Sequence, residues 1–277
     1  MSEQSVPVEM SVDVGRGGRW TSLRSRRDNG TWREWLWRNP DPAIVRAREH
    51  VDSTSAFVDA GGGEECYPCL RSPWDHGLIW NRPWHGTEHD AQVEAEGYRL
   101  SRRTQADAGT IVADYCAGAD TVRPVTHTTH LLLDLSPDAR LCPGAHGDVV
   151  FFDAPPLNEI SDLGGTAAFV ESIGDGRRGA VCYLLPGCTT VTLVDGPDRL
   201  RLDLIGVDLP LGFVVWRNLC AWPEEAPYRS IGIEPSLGGA ATLSPPGPHT
   251  ALVGPGMAAR WRLVISASSL VGADQQP

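Results

Sequence analysis

The chain has 277 residues, of which 24 are basic and 35 acidic, for a formal net charge of −11. That balance excludes a protein built to grip a phosphate backbone, which needs a basic face. All 24 basic residues are Arg, so Schiff-base and P-loop lysine chemistry are excluded as well. No apolar run nears the ~20 residues that span a bilayer. Residues 1–10 hold two acids and no base, unlike a secretory signal. The seven cysteines are odd in number and irregularly spaced, which points to reduced, mostly buried thiols in a cytoplasmic protein. Cys66-Tyr-Pro-Cys69 has no second pair or spaced His to complete a zinc set, so neither metal nor cofactor is expected.

Thirty Gly and 22 Pro demand many turns between short elements, which favours strands over helices. In chain order, period-two alternation predicts a strand over 21–25. A helix follows over 41–51, with Asp41 as cap and Pro42 in its first turn. Strands are predicted over 98–105, 110–116, 129–135 and 149–152, then a short helical turn within 155–163. Further strands fall over 180–185, 189–194 and 199–204, the last two joined by the Asp195-Gly196-Pro197-Asp198 hairpin turn. The series ends with 213–216, 229–233, 250–253 and 261–266. More than ten short strands at even spacing suggest one all-β domain, a sandwich or barrel, ordered over about 15–266 with frayed termini.

Three stretches carry residues suited to chemistry. Residues 61–86 gather glycines, Glu64, Glu65, Asp75, His76, Asn81, His85 and three tryptophans. Flat apolar faces beside carboxylates, amides and imidazoles suit sugars, while the same composition also suits a loop that plugs a sheet. The second stretch, Pro124 to Asp134, holds His127 and His130. Three residues apart on a strand, they face opposite sides, so one of them at most enters a given pocket. The third, Tyr228 to Gly239, is an apolar strand expected to end at Glu234, where Pro235 stops the ladder.

The order of these stretches resembles the galactose mutarotase (aldose 1-epimerase) superfamily. The carriers are Gly62-Gly63-Glu64-Glu65-Cys66-Tyr67-Pro68, then Asp75-His76-Gly77-Leu78-Ile79-Trp80, then a His-bearing strand. Later come Trp216-Arg217-Asn218 through Trp222, Ile231-Gly232-Ile233-Glu234-Pro235, and Pro255-Gly256 through Trp261-Arg262-Leu263. The likeness covers most of residues 15–266 and is closer to a divergent bacterial branch than to the archetypal galactose enzyme. It implies a large antiparallel β-supersandwich.

The resemblance also implies roles. Glu234 matches the family's general base, His130 its general acid, and His76 the residue that holds the sugar; a register error of three would choose His127. Glu65, Trp80, Asn81 and Trp216 are expected to line the pocket. The implied partner is a small-molecule sugar or sugar-like substrate, with no metal, cofactor, nucleic acid or membrane, in a monomer or homodimer. Arg24, Arg26, Arg27 and Arg71 could clamp a phosphate or simply be solvated. The competing readings are a non-catalytic sugar sensor of the same fold and a repurposed isomerase or cyclase of specialised metabolism.

Overall fold

The computed structural model of the chain describes residues 2–27, 29–107, 109–174 and 179–271. They form two nine-stranded sheets and a two-stranded ribbon, with every strand pair antiparallel. In the first sheet, Ala259–Val271 is the central strand, between Asp198–Ile205 and Thr110–Ala119. In the second, Tyr228–Leu237 and His127–Leu133 lie side by side at the centre, flanked by Leu211–Trp222 and Gly63–Cys66.

The alternation that predicts these strands is the alternation that builds the core. Along Thr110–Ala119 every second residue is buried, from Ile111 to Ala119. These side chains, with Leu200, Leu202, Leu263 and Ile265, meet Trp20, Leu131, Phe213, Ile231 and Ile233 of the second sheet. Fully burying each such side chain contributes about 1.5–3 kcal/mol. His127–Leu133 departs from alternation: all seven residues are buried. One face of this strand is in the core, and the other lies under loops that fold back over the second sheet. That covered outer face is where a pocket can form.

Several predicted boundaries shift. The sheets reach beyond 15–266 at both ends: Ser2–Val6 pairs with Ala259–Val271, and Val8–Asp13 with Arg19–Arg26. The rest of the tail, 272–277, lies outside the described residues. The helix of 41–51 is shorter, Pro42–Arg48, with the Asp41 side chain accepting from the Ala43 amide at 2.7 Å as its cap. A helix at Thr166–Glu171 follows Leu157–Asp162 and has no sequence cap to announce it. The Glu234 strand does not stop at Pro235 but runs to Leu237. The strand stays paired with Leu211–Trp222 through the Phe213–Pro235 pair, while its ladder to the His127–Leu133 strand is interrupted between the Thr128–Ser236 and Leu132–Gly232 pairs.

The core also holds charge. Glu65 points inward and is fully buried. It ion-pairs with Arg102 of the opposite sheet and accepts from Tyr115 Oη at 3.0 Å and Trp20 Nε1 at 2.9 Å. His127 Nε2 lies 2.8 Å from its other oxygen. Burial works against the Glu65 carboxylate, but Arg102 and His127 outweigh it and hold its pKa down at about 2. The stability this provides is present above the ordinary carboxylate range, and is lost as pH falls from about 4.5 towards 2. Glu65→Ala would strand Arg102 without its counter-ion. Urea unfolding should show a loss of about 3–5 kcal/mol at neutral pH, and the loss should shrink as the pH is lowered through that window.

Candidate active site

The site is assembled by register. Gly63–Cys66 runs beside His127–Leu133 with His130 opposite Glu64. On the other side, the Thr128–Ser236 and Leu132–Gly232 pairs put His130 opposite Glu234, and Glu234 is itself opposite Val214. One row across four strands therefore reads Val214, Glu234, His130, Glu64, all on the outer face of the second sheet. A small apolar cluster of Cys66, Leu70, Cys182, Leu184 and Val214 floors that face.

Glu234 Oε1 lies 2.8 Å from His130 Nδ1, with Glu234 1% and His130 7% exposed. Burial alone would lower the His130 pKa, but the Glu234 carboxylate, with Asp59 and Glu64 behind it, raises it from 6.5 to about 9. The second oxygen of Glu234 is buried with no protein donor. Room for the carboxylate comes from Gly232 on the same face: a Cβ there would sit 2.6 Å from Glu234 Oε1. Glu64 is neutralised from the side. Arg48, at the end of the Pro42–Arg48 helix, grips both its oxygens at 2.8 Å, and Arg19 reaches it at 2.8 Å.

A cavity of ≈ 300 Å³ opens over the His130–Glu234 pair. His76 forms part of its wall, in a left-handed backbone conformation (φ 59°) that a non-glycine residue adopts at a cost of about 1–3 kcal/mol. Its amide donates to the Leu70 carbonyl at 2.7 Å, and its ring stacks on Phe57 with centroids 3.4 Å apart. Asp75 Oδ1 is 3.0 Å from its Nδ1. The His76 and His130 rings meet edge to face at 5.3 Å. Opposite stand Trp216 and Trp222, themselves edge to face. Trp222 is carried on a bulge of its strand that the Asn218 side chain clamps, accepting from the Trp222 amide at 3.0 Å and donating to its carbonyl at 2.7 Å. Cys182 also faces the cavity, but burial pushes its thiol well up, so it offers no thiolate.

Glu234, His130, His76 and Trp216 thus share one cavity. Three other expected wall residues do not. Glu65 faces the core, because strand alternation sends it away from its neighbour Glu64. Trp80 is buried behind Phe57, in edge contact at 5.0 Å, with its carbonyl accepting from Arg48. Asn81 lines a separate surface depression, where its amide reaches the Ser55 carbonyl. The choice between the two histidines follows the same rule: His127 is held against Glu65 in the core and His130 enters the cavity. Of the four arginines, Arg71 alone lines the cavity, and it is already held by both oxygens of Asp153 at 3.0 and 3.1 Å. Arg24 pairs with Glu9 and Arg27 with Asp198 instead. Phe57 and Asp59, from the loop after the first helix, escape the sequence reading because no motif marks that loop.

Comparison with known proteins places this geometry in context. No family model matches the chain, and no curated protein does. Solved structures do. The Slr1438 protein of Synechocystis sp. PCC 6803 superposes with a TM-score of 0.69 at 13% identity, over 97% of this chain and 96% of its own. A galactose mutarotase-like protein from Lactobacillus casei gives 0.59 at 14% identity, over 96% of this chain and 100% of its own. The GalM/aldose epimerase homologue from Caenorhabditis elegans gives 0.61 at 12% identity, over 98% and 100%. Near-complete coverage at such low identity is a statement about architecture, and the chain has the galactose mutarotase-like fold, in a version far diverged in sequence from these structures.

Proposed function

We propose that the protein is an aldose 1-epimerase, interconverting the two anomers of a free sugar. The observation that carries this reading is the buried His130–Glu234 pair, with Oε1 and Nδ1 2.8 Å apart beneath a sugar-sized cavity. A sensor has no need of an acid and a base in contact at the bottom of its binding site. The names of the fold neighbours point the same way.

The chemistry needs one group to accept a proton from the anomeric hydroxyl and another to give one to the ring oxygen. His130, held protonated at neutral pH by its carboxylate neighbour, is the donor, and Glu234 is the acceptor. An entering sugar replaces their direct contact, placing O1 against Glu234 and O5 near His130. The C1–O5 bond breaks as Glu234 takes the O1 proton and His130 protonates O5. Rotation about C1–C2 presents the other face of the aldehyde, and the reverse transfers close the ring and restore both groups. His76, fixed between Phe57 and Asp75, is the residue that orients the sugar.

Anomer-exchange NMR across a panel of aldoses tests the reading. Glu234→Gln and His130→Asn should each lose at least about 100-fold in exchange rate, within the range usual for a general acid or base. No exchange by the folded wild-type protein with any sugar would refute it. The pH dependence carries a second signature: kcat/KM should fall as pH rises through about 9, where His130 gives up its proton. In Glu234→Gln the His130 imidazole, followed by NMR titration, should move down from about 9 towards 6.5. Gly232→Ala should push the Glu234 carboxylate off its position and cost roughly 100-fold in rate, with an unchanged circular dichroism spectrum.

A further inference from the structure

The charges around the cavity are unevenly satisfied. Among the described residues, the arginine on its wall, Arg71, is held by Asp153, and each of its two imidazoles lies against a carboxylate, His130 against Glu234 and His76 against Asp75. Asp59 is different. Among the described residues its hydrogen-bond partner is the neutral Tyr228 hydroxyl, which donates to Oδ2 at 2.6 Å. Its Oδ1 is buried and has no donor. Glu234 Oε2, on a side chain 1% exposed and lining the same cavity, also lacks one. Among the described residues, the cavity wall thus holds two carboxylates, Asp59 and Glu234, each with one buried oxygen that accepts no hydrogen bond, while its one arginine, Arg71, is already paired.

We infer that the sugar this site takes carries an ammonium group, and that Asp59 is the residue that selects it. The inference rests on the epimerase reading and narrows its substrate to reducing amino sugars. A buried acceptor without a donor is costly, and a charged donor repays that cost better than a neutral hydroxyl. Glu234 needs the anomeric hydroxyl for the reaction, which leaves Asp59 as the acceptor for the amino substituent. A sugar phosphate or uronate would bring an anion into a wall whose arginine already pairs with Asp153, close to the Asp59 and Glu234 carboxylates. Of the arginines considered for a phosphate clamp, Arg71 lines the cavity, and Asp153 already holds it.

The test is a binding series by titration calorimetry at about pH 6, where a sugar amine is protonated. D-Glucosamine and D-galactosamine are compared with D-glucose and D-galactose, and with glucose 6-phosphate and D-glucuronate. An amino sugar should bind at least about tenfold more tightly than its parent, and both anionic sugars more weakly. Asp59→Asn should abolish the preference for the amine, whereas Tyr228→Phe, which leaves the carboxylate in place, should keep it. An amino sugar no tighter than its parent, an anionic sugar tighter than its parent, or an unchanged preference in Asp59→Asn overturns the inference. The wild-type series decides the matter even if Asp59→Asn does not fold. Anomer exchange is recorded on the same samples. Glu234-dependent exchange of neutral sugars without an amine preference would remove this inference and leave the epimerase. An Asp59-dependent amine preference without exchange would uphold the selectivity and remove the epimerase.

Discussion

Two adjacent carboxylates on one short strand hold this molecule in register. Glu64 and Glu65 are both buried and, being neighbours on a strand, face opposite sides of the second sheet. Glu65 binds across the sandwich to Arg102, and Glu64 binds along the outer face to Arg48 and Arg19. Desolvating one carboxylate costs several kcal/mol, and each here is offset only when its arginine is in place. A slip of one residue would exchange the two faces and strand both charges, so the strand has one acceptable register. Since that strand sets the position of His130, which the neighbouring strand sets relative to Glu234, the geometry of the site follows from a constraint in the core.

The cavity combines parts of different stiffness. Its floor is sheet: Glu234 and His130 sit on central strands with neighbours on both sides. Its walls come from both loops and strand: Phe57, Asp59 and His76 lie on loops, and Trp216 and Trp222 on the Leu211–Trp222 strand. His76 takes a strained backbone conformation fixed by a main-chain bond to Leu70 and by Phe57 against its ring. Trp222 depends on a bulge that Asn218 clamps. In both places a polar side chain or amide spends its hydrogen bonds on backbone geometry so that an aromatic or imidazole face can be presented to the cavity.

Much of the architecture was legible from residue pattern, because alternation is a direct record of which face is buried. Thr110–Ala119 and Asp198–Ile205 are plain examples. The N-terminal strands were hard to see because Val8–Asp13 mixes half-buried and exposed positions. Pro235 does not end its strand, which stays paired with the Leu211–Trp222 strand on its other side through to Leu237. At the site, Glu234, His130 and His76 come together as the resemblance implies. Glu65, Trp80 and Asn81 do not, since nearness in sequence to a motif says nothing about which way a side chain faces. Alternation between Glu64 and Glu65 held the necessary signal. Nothing comparable marks Phe57 and Asp59, whose place over the cavity depends on how a loop returns across the sheet.

The division between floor and wall bears on how such a protein diversifies. The His130–Glu234 pair is tied through Glu64 and Glu65 to the packing of the whole sandwich, so changes there endanger folding. Asp59 and Phe57 lie on a loop with no strand of its own, between the first helix and Gly63–Cys66. Loops of that kind accept substitution and insertion at little cost to the scaffold. Asp59 and Phe57 can therefore change while the register that sets the His130–Glu234 pair is kept.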